Sequence, residues 1–158
     1  MATVGPERDY KKRTTDIEAV LEFLRRDYHE AHFILVSPEA GKKDWIQYCG
    51  YLDGLYQYFA AADFVLTQSG YGKVAELTAL GIPFIAIPLD LHFEQEYIMA
   101  HRLNHYGVGR IMTLRNNSPQ AFHAMVQQHM GQDVHRIAVD NGTEVARIIL
   151  EAAKKNTM

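Results

Sequence analysis

Apolar positions along this chain switch repeatedly between two spacings. Phe33–Val36 and Phe84–Ile87 are continuous apolar runs, and Phe64, Val65 and Leu66 form a third. Runs this short, bounded by turn residues, predict strands buried on both faces. Between them Ile17, Val20, Leu21 and Leu24 recur at helical spacing, with Thr14 or Thr15 placed to cap a helix running through Tyr28. Residues 2–4 read as a clipped strand stub with Gly5 and Pro6 as its exit turn, and residues 7–13 as a polar loop. Residues 37–43 read as a loop, 45–49 as a shorter strand, and 53–62 as a helix capped by Asp53, with Leu55, Tyr58 and Phe59 on one side. After Pro88 come a long helix stopping at Gly107, a strand over 108–112, and a helix opened by Ser118 and Pro119 that reaches about Met130. Thr143 caps a last helix carrying Val145, Ile148, Ile149 and Ala152, with Lys154 and Lys155 at its end. The alternation predicts an α/β fold: a Rossmann-like parallel sheet with helices on both faces.

The stretch 63–88 organises the rest. A strand over 64–66 is broken by Ser69, Gly70, Tyr71 and Gly72. A helix over 73–80 follows, with Val74, Leu77 and Leu80 on one face, and Gly81 and Pro83 stop it before the next strand. Such a crossover places its turn at the carboxyl end of a strand, where parallel sheets bind ligands. Gly70 and Gly72 would let the backbone approach a ligand, and the opening amides of the helix favour an anion such as a diphosphate, with Lys73 adding a charge. Glu76, one turn further, is repelled by that anion unless occupied elsewhere, and a ribose diol is its natural occupant. The plain alternative is that two glycines make a tight turn and Glu76 is a solvated helix residue.

Composition narrows the classes. The 158 residues make one domain, able to bury roughly 70% of the unfolded surface. A formal charge of −3 gives no nucleic-acid footprint or polybasic membrane patch. A single cysteine, Cys49, excludes an internal disulfide and a cysteine-rich zinc site; beside Tyr48 it reads as a core thiol in a reducing compartment. No apolar run approaches the ~20 residues of a membrane span. These features together predict a cytoplasmic protein. His101 and His105 lie four apart on one helix face, but no third metal ligand is placed by sequence. Gly72 and Lys73 briefly suggest a phosphate loop, until Val74 stands where a magnesium-binding hydroxyl is required.

Taken together, residues 51–53, 61–63, Ser69, Gly70, Glu76, residues 81–83, Pro88, Glu94 and Gln95 resemble the carboxyl-terminal half of a GT-B glycosyltransferase. The likeness is to the peptidoglycan-precursor N-acetylglucosaminyltransferase and UDP-glycosyltransferase group, and it covers about residues 33–154. It implies that Ser69, Gly70 and Tyr71 hold the nucleotide diphosphate, that Glu76 binds the ribose hydroxyls, and that Gln95, with Glu94 beside it, binds the donor sugar. Gln68 stands where UDP-glycosyltransferases place a phosphate-binding histidine, and Lys73 where a serine or threonine is usual. Both side chains can still donate to phosphate.

The resemblance further implies inverting transfer from a nucleotide-sugar, with a UDP-sugar as donor by likeness alone, and with no bound metal or other cofactor. It implies a second, amino-terminal half that binds the acceptor and supplies the catalytic base. The chain therefore reads as a single donor-binding domain over residues 1–158, inactive by itself. It is either an excised domain or a subunit beside a partner, as in the dolichol-linked chitobiose synthase, with any membrane association peripheral and through that other half. Two rivals stay open: a sugar-nucleotide epimerase or hydrolase of the same fold, and a module that binds a nucleotide or anion without chemistry.

Overall fold

The computed structural model describes residues 1–3, 10–38, 43–132, 136 and 142–155. Six parallel strands form one sheet: β1 (Ala2–Thr3), β2 (Phe33–Val36), β3 (Ile46–Cys49), β4 (Val65–Gln68), β5 (Phe84–Ile87) and β6 (Arg110–Ile111). Their order across the sheet is β3-β2-β1-β4-β5-β6. The order reverses between β1 and β4, and the crevice at such a switch point is where doubly wound sheets bind ligands.

Strand periodicity divides the core. Leu66, Ile85 and Ile87 face one side with Ile17, Val20, Leu21 and Leu24 of α1 (Tyr10–Leu24) and Phe122 and Val126 of α5 (Pro119–His129). Val65, Phe84 and Ala86 face the other side, under Phe59 of α2 (Leu55–Ala60), Val74 and Leu77 of α3 (Tyr71–Leu80), and Met99 and Leu103 of α4 (Met99–Tyr106). Helices therefore cover both faces, as the alternation predicts. Ser118 caps α5 by accepting from the Ala121 amide at 3.3 Å, and Gly81 ends α3 in the left-handed region at φ 72°.

Several boundaries differ from the sequence reading for physical reasons. Helix α1 begins at Tyr10, inside the expected polar loop, because Tyr10 packs on the core and Arg13 and Thr14 are buried. Thr14 is thus no cap: its hydroxyl pairs with that of Ser37 at 2.9 Å, and Thr15 donates back to the Lys11 carbonyl. The helix ends at Leu24 rather than at Tyr28. Asp53 is not a cap either, since left-handed Gly54 opens α2 without any side-chain bond. Cys49, on the edge strand, is half-buried rather than core. The third and sixth strands are shorter than expected, and α6 (Thr143–Lys155) includes Thr143 in its first turn. Ile148 and Ile149 of α6 are more than half exposed. The expected exit turn at Gly5 and Pro6 lies outside the described residues, as do the side chains of Val145 and Ala152.

Candidate functional site

Strand β4 delivers the chain to the switch point, and α3 starts there. Gly70 is the N-cap of α3, with an extended φ of −91°, and no side chain caps the helix. The first amides of a helix have no intrahelical partner, so this end offers donors to a ligand. Neither Gly70 nor Gly72 has a positive φ; the Gly70 amide closes a tight turn on the Gln68 carbonyl at 2.8 Å, and Gly72 lies within the helix. What they provide is room: a Cβ built on either meets nothing within 4 Å. Glu76 shares a helix face with Gly72 four residues earlier. It is exposed and makes no hydrogen bond or ion pair with a described residue. The open strip over α3 thus runs from uncapped amides to an unengaged carboxylate. Lys73 sits half-buried in the first turn, and the Arg102 guanidinium of α4 lies 4.9 Å from the centre of the Tyr71 ring.

The second wall is the segment after β5. Residues 94–98 form a π-helical turn, Glu94–Ile98, that leads into α4; such turns mark an extra residue in a helix and are frequent at functional sites. The side-chain oxygen of Gln95 accepts from the Leu89 amide at 3.0 Å, which leaves its –NH₂ group to donate elsewhere, next in sequence to exposed Glu94. A donor next to an acceptor suits a sugar diol. Glu96 is engaged instead: it accepts from the Leu91 amide at 3.3 Å and from Arg115 at 3.2 Å. Leu91 is held at φ 60°, a conformation a leucine adopts only under constraint. It stands 85% exposed beside Phe93 and Tyr97, whose rings lie 5.2 Å apart.

Ser69 joins the two walls rather than facing a ligand. It is fully buried; its amide donates to the Ile87 carbonyl at 3.1 Å and its hydroxyl to the Gln95 carbonyl at 3.3 Å. Gln68 ends β4 half-buried. The structure therefore gathers Gly70, Tyr71, Gly72, Lys73 and Glu76 along α3, and Glu94 and Gln95 on the π turn, with Ser69 beneath. Sequence reading missed Arg13, Arg102 and Arg115, whose only signal was charge in segments of otherwise ordinary polarity. His101 and His105 stack with ring centres 6.3 Å apart, and among the described residues no three His, Cys, Asp or Glu gather to hold a metal. A separate cavity of about 420 Å³ opens at the amino ends of the strands, lined by apolar groups such as Leu24, Phe64 and Val126; it is remote from this chemistry.

A family model described as the glycosyltransferase family 28 C-terminal domain matches residues 5–148. This chain belongs to that family. A relative from Proteus mirabilis (strain HI4320), named UDP-N-acetylglucosamine–N-acetylmuramyl-(pentapeptide) pyrophosphoryl-undecaprenol N-acetylglucosamine transferase, is 31% identical over 113 residues, 66% of this chain and 31% of that protein. The family 28 domain spans about a third of the length of the curated relatives it matches. Among solved structures, the glycotransferase of kitacinnamycin superposes with a TM-score of 0.65 at 17% identity, covering 83% of this chain and 34% of that one. Spinosyn rhamnosyltransferase SpnG, complexed with thymidine diphosphate, gives 0.57 at 18% identity, covering 94% and 40%. These likenesses show a shared fold. The chain is thus a glycosyltransferase family 28 C-terminal domain with the Rossmann-like fold of these structures.

Proposed function

We propose that the family 28 domain binds a nucleoside diphosphate sugar across the amino end of α3 and the π turn, for inverting, metal-independent transfer completed by an amino-terminal acceptor half. The observation that carries this reading is the uncapped start of α3, with open space over Gly70 and Gly72 leading along one face to Glu76. In this reading the diphosphate sits on the first-turn amides, where the helix dipole and Lys73 favour negative charge. As the sugar leaves, charge builds on that diphosphate, so donors already aimed there stabilise the transition state more than the ground state. Glu76 accepts from both ribose hydroxyls, while the Gln95 amide and Glu94 orient the sugar. A ribose diol favours UDP over thymidine diphosphate, in keeping with the nucleotide in the Proteus relative's name. The exposed side chains of Leu91, Phe93 and Tyr97 offer an apolar rim beside the π turn that an acceptor half could cover.

Melting of the folded chain with UDP, UDP-N-acetylglucosamine and thymidine diphosphate tests the reading. At ten times the dissociation constant, linkage supplies about 1.4 kcal/mol, which raises the Tm by roughly 3–6 °C for a chain of this size. UDP is expected to exceed thymidine diphosphate at equal concentration, without turnover until an acceptor half is added. Curves that all overlay the ligand-free curve remove the donor-site reading, and donor hydrolysis by the chain alone favours the hydrolase or epimerase alternative.

A further inference from the structure

Among the described residues seven polar ones are buried, and the one with a full charge is Arg13 of α1, 8% exposed. Burying a guanidinium is costly unless its donors are well satisfied. Arg13 donates to the Ile87 carbonyl at 2.6 Å and to the Pro88 carbonyl at 3.1 Å, where β5 ends. Both carbonyls belong to the candidate site's framework. The Ile87 carbonyl also accepts the Ser69 amide, and the Ser69 hydroxyl donates to the Gln95 carbonyl. One residue past Pro88, the Leu89 amide donates to the Gln95 side chain. These bonds and the backbone between them form a closed circuit: Arg13, Ile87, Ser69, Gln95, Leu89, Pro88 and back to Arg13.

We infer that Arg13 is a positioning residue for the donor site, clamping the Gly70 loop and the π turn at a fixed separation. The inference rests on the nucleoside diphosphate sugar reading of that crevice. A diphosphate and a sugar joined to it must meet α3 and Gln95 together, so the spacing of the two walls decides whether both ends of the donor are held at once. The planar fork of arginine suits two carbonyls at successive residues, which one ammonium group cannot bridge with equal geometry. Its fixed positive charge, buried at the carboxyl end of the sheet, also adds to the potential felt by an anion there.

Two variants and two readouts test this. Arg13→Met keeps the apolar stem and removes both bonds; Arg13→Lys keeps the charge and retains one. Amide hydrogen exchange is measured on the ligand-free chain, where the clamp predicts that Ser69 and Leu89 exchange about tenfold faster or more in Arg13→Met, less so in Arg13→Lys, from loss of charge-assisted bonds. Leu66 and Phe122, which hydrogen-bond outside the circuit, keep their protection. UDP-N-acetylglucosamine, which spans both walls, is expected to weaken several-fold more than UMP, which contacts one. Exchange that is unchanged at Ser69 and Leu89, or that rises equally at all four amides, overturns the clamp and leaves Arg13 a general stabiliser. Equal weakening of the two ligands overturns it as well. Should Arg13→Met fail to fold, the same pattern in Arg13→Lys decides. A wild-type chain that binds neither nucleotide refutes the donor reading alone, because the exchange pattern still decides whether Arg13 ties the walls together.

Discussion

Glu76 is the residue that an anion site by itself does not explain, since a second negative charge on the same helix face opposes phosphate. If its carboxylate accepts from both ribose hydroxyls, bonds of roughly 1.5–3 kcal/mol are at stake, so Glu76→Ala is expected to weaken UDP about 10- to 150-fold. Glu76 is exposed, so its truncation leaves the core intact. The control is 2′-deoxy-UDP: wild type should prefer UDP, and the variant should bind both ligands alike, a non-additivity that reports contact. Equal preference in both proteins, by calorimetry, shows that Glu76 does not touch the ribose. The sequence singles this carboxylate out because its charge conflicts with its neighbours' chemistry, and the structure leaves it exposed. Ser69 was not legible in this way: type and position suggest a phosphate contact, whereas the structure spends its hydroxyl on the Gln95 carbonyl. Such a choice depends on a segment more than twenty residues away in sequence.

Elements separate glycines that shape the backbone from glycines that leave space. Gly72 lies in the first turn of α3 with open space where a Cβ would go. Gly72→Ala is therefore expected to stabilise the domain by roughly 0.4–1 kcal/mol through reduced chain entropy, while obstructing the diphosphate and weakening UDP. Gly109 is the opposite case: at φ 57°, a Cβ would stand 2.4 Å from the Phe84 ring. Gly109→Ala should cost about 2 kcal/mol or more through strain and overpacking, with little direct effect on the site. Denaturant melts beside UDP titrations check both. A Gly72→Ala protein that is stabilised and binds UDP normally contradicts a ligand over that glycine. The strands were legible because Val65, Leu66 and Ile85 are apolar whichever face they take. The first turn of α1 was not, because Lys11, Lys12 and Arg13 read as loop; only the carbonyls at the end of β5 make a buried place for Arg13.

At the scale of the whole molecule, β1 is two residues long and lies in the middle of the sheet, between β2 and β4. The doubly wound order itself was legible as alternation, but which strand lies centrally was not, since the two residues of β1, Ala2 and Thr3, are too few to carry a periodicity. That central strand is also a seam. Ala2 pairs with Leu35 on one side and Leu66 on the other, so among the described residues the β2–β3 pair and the β4–β5–β6 group are joined within the sheet through it. A pair of residues holding one neighbour is too short to persist alone, and contacts spanning this much chain form slowly. That seam is the slider of a zip, holding two rows of teeth together at the place where the crevice opens.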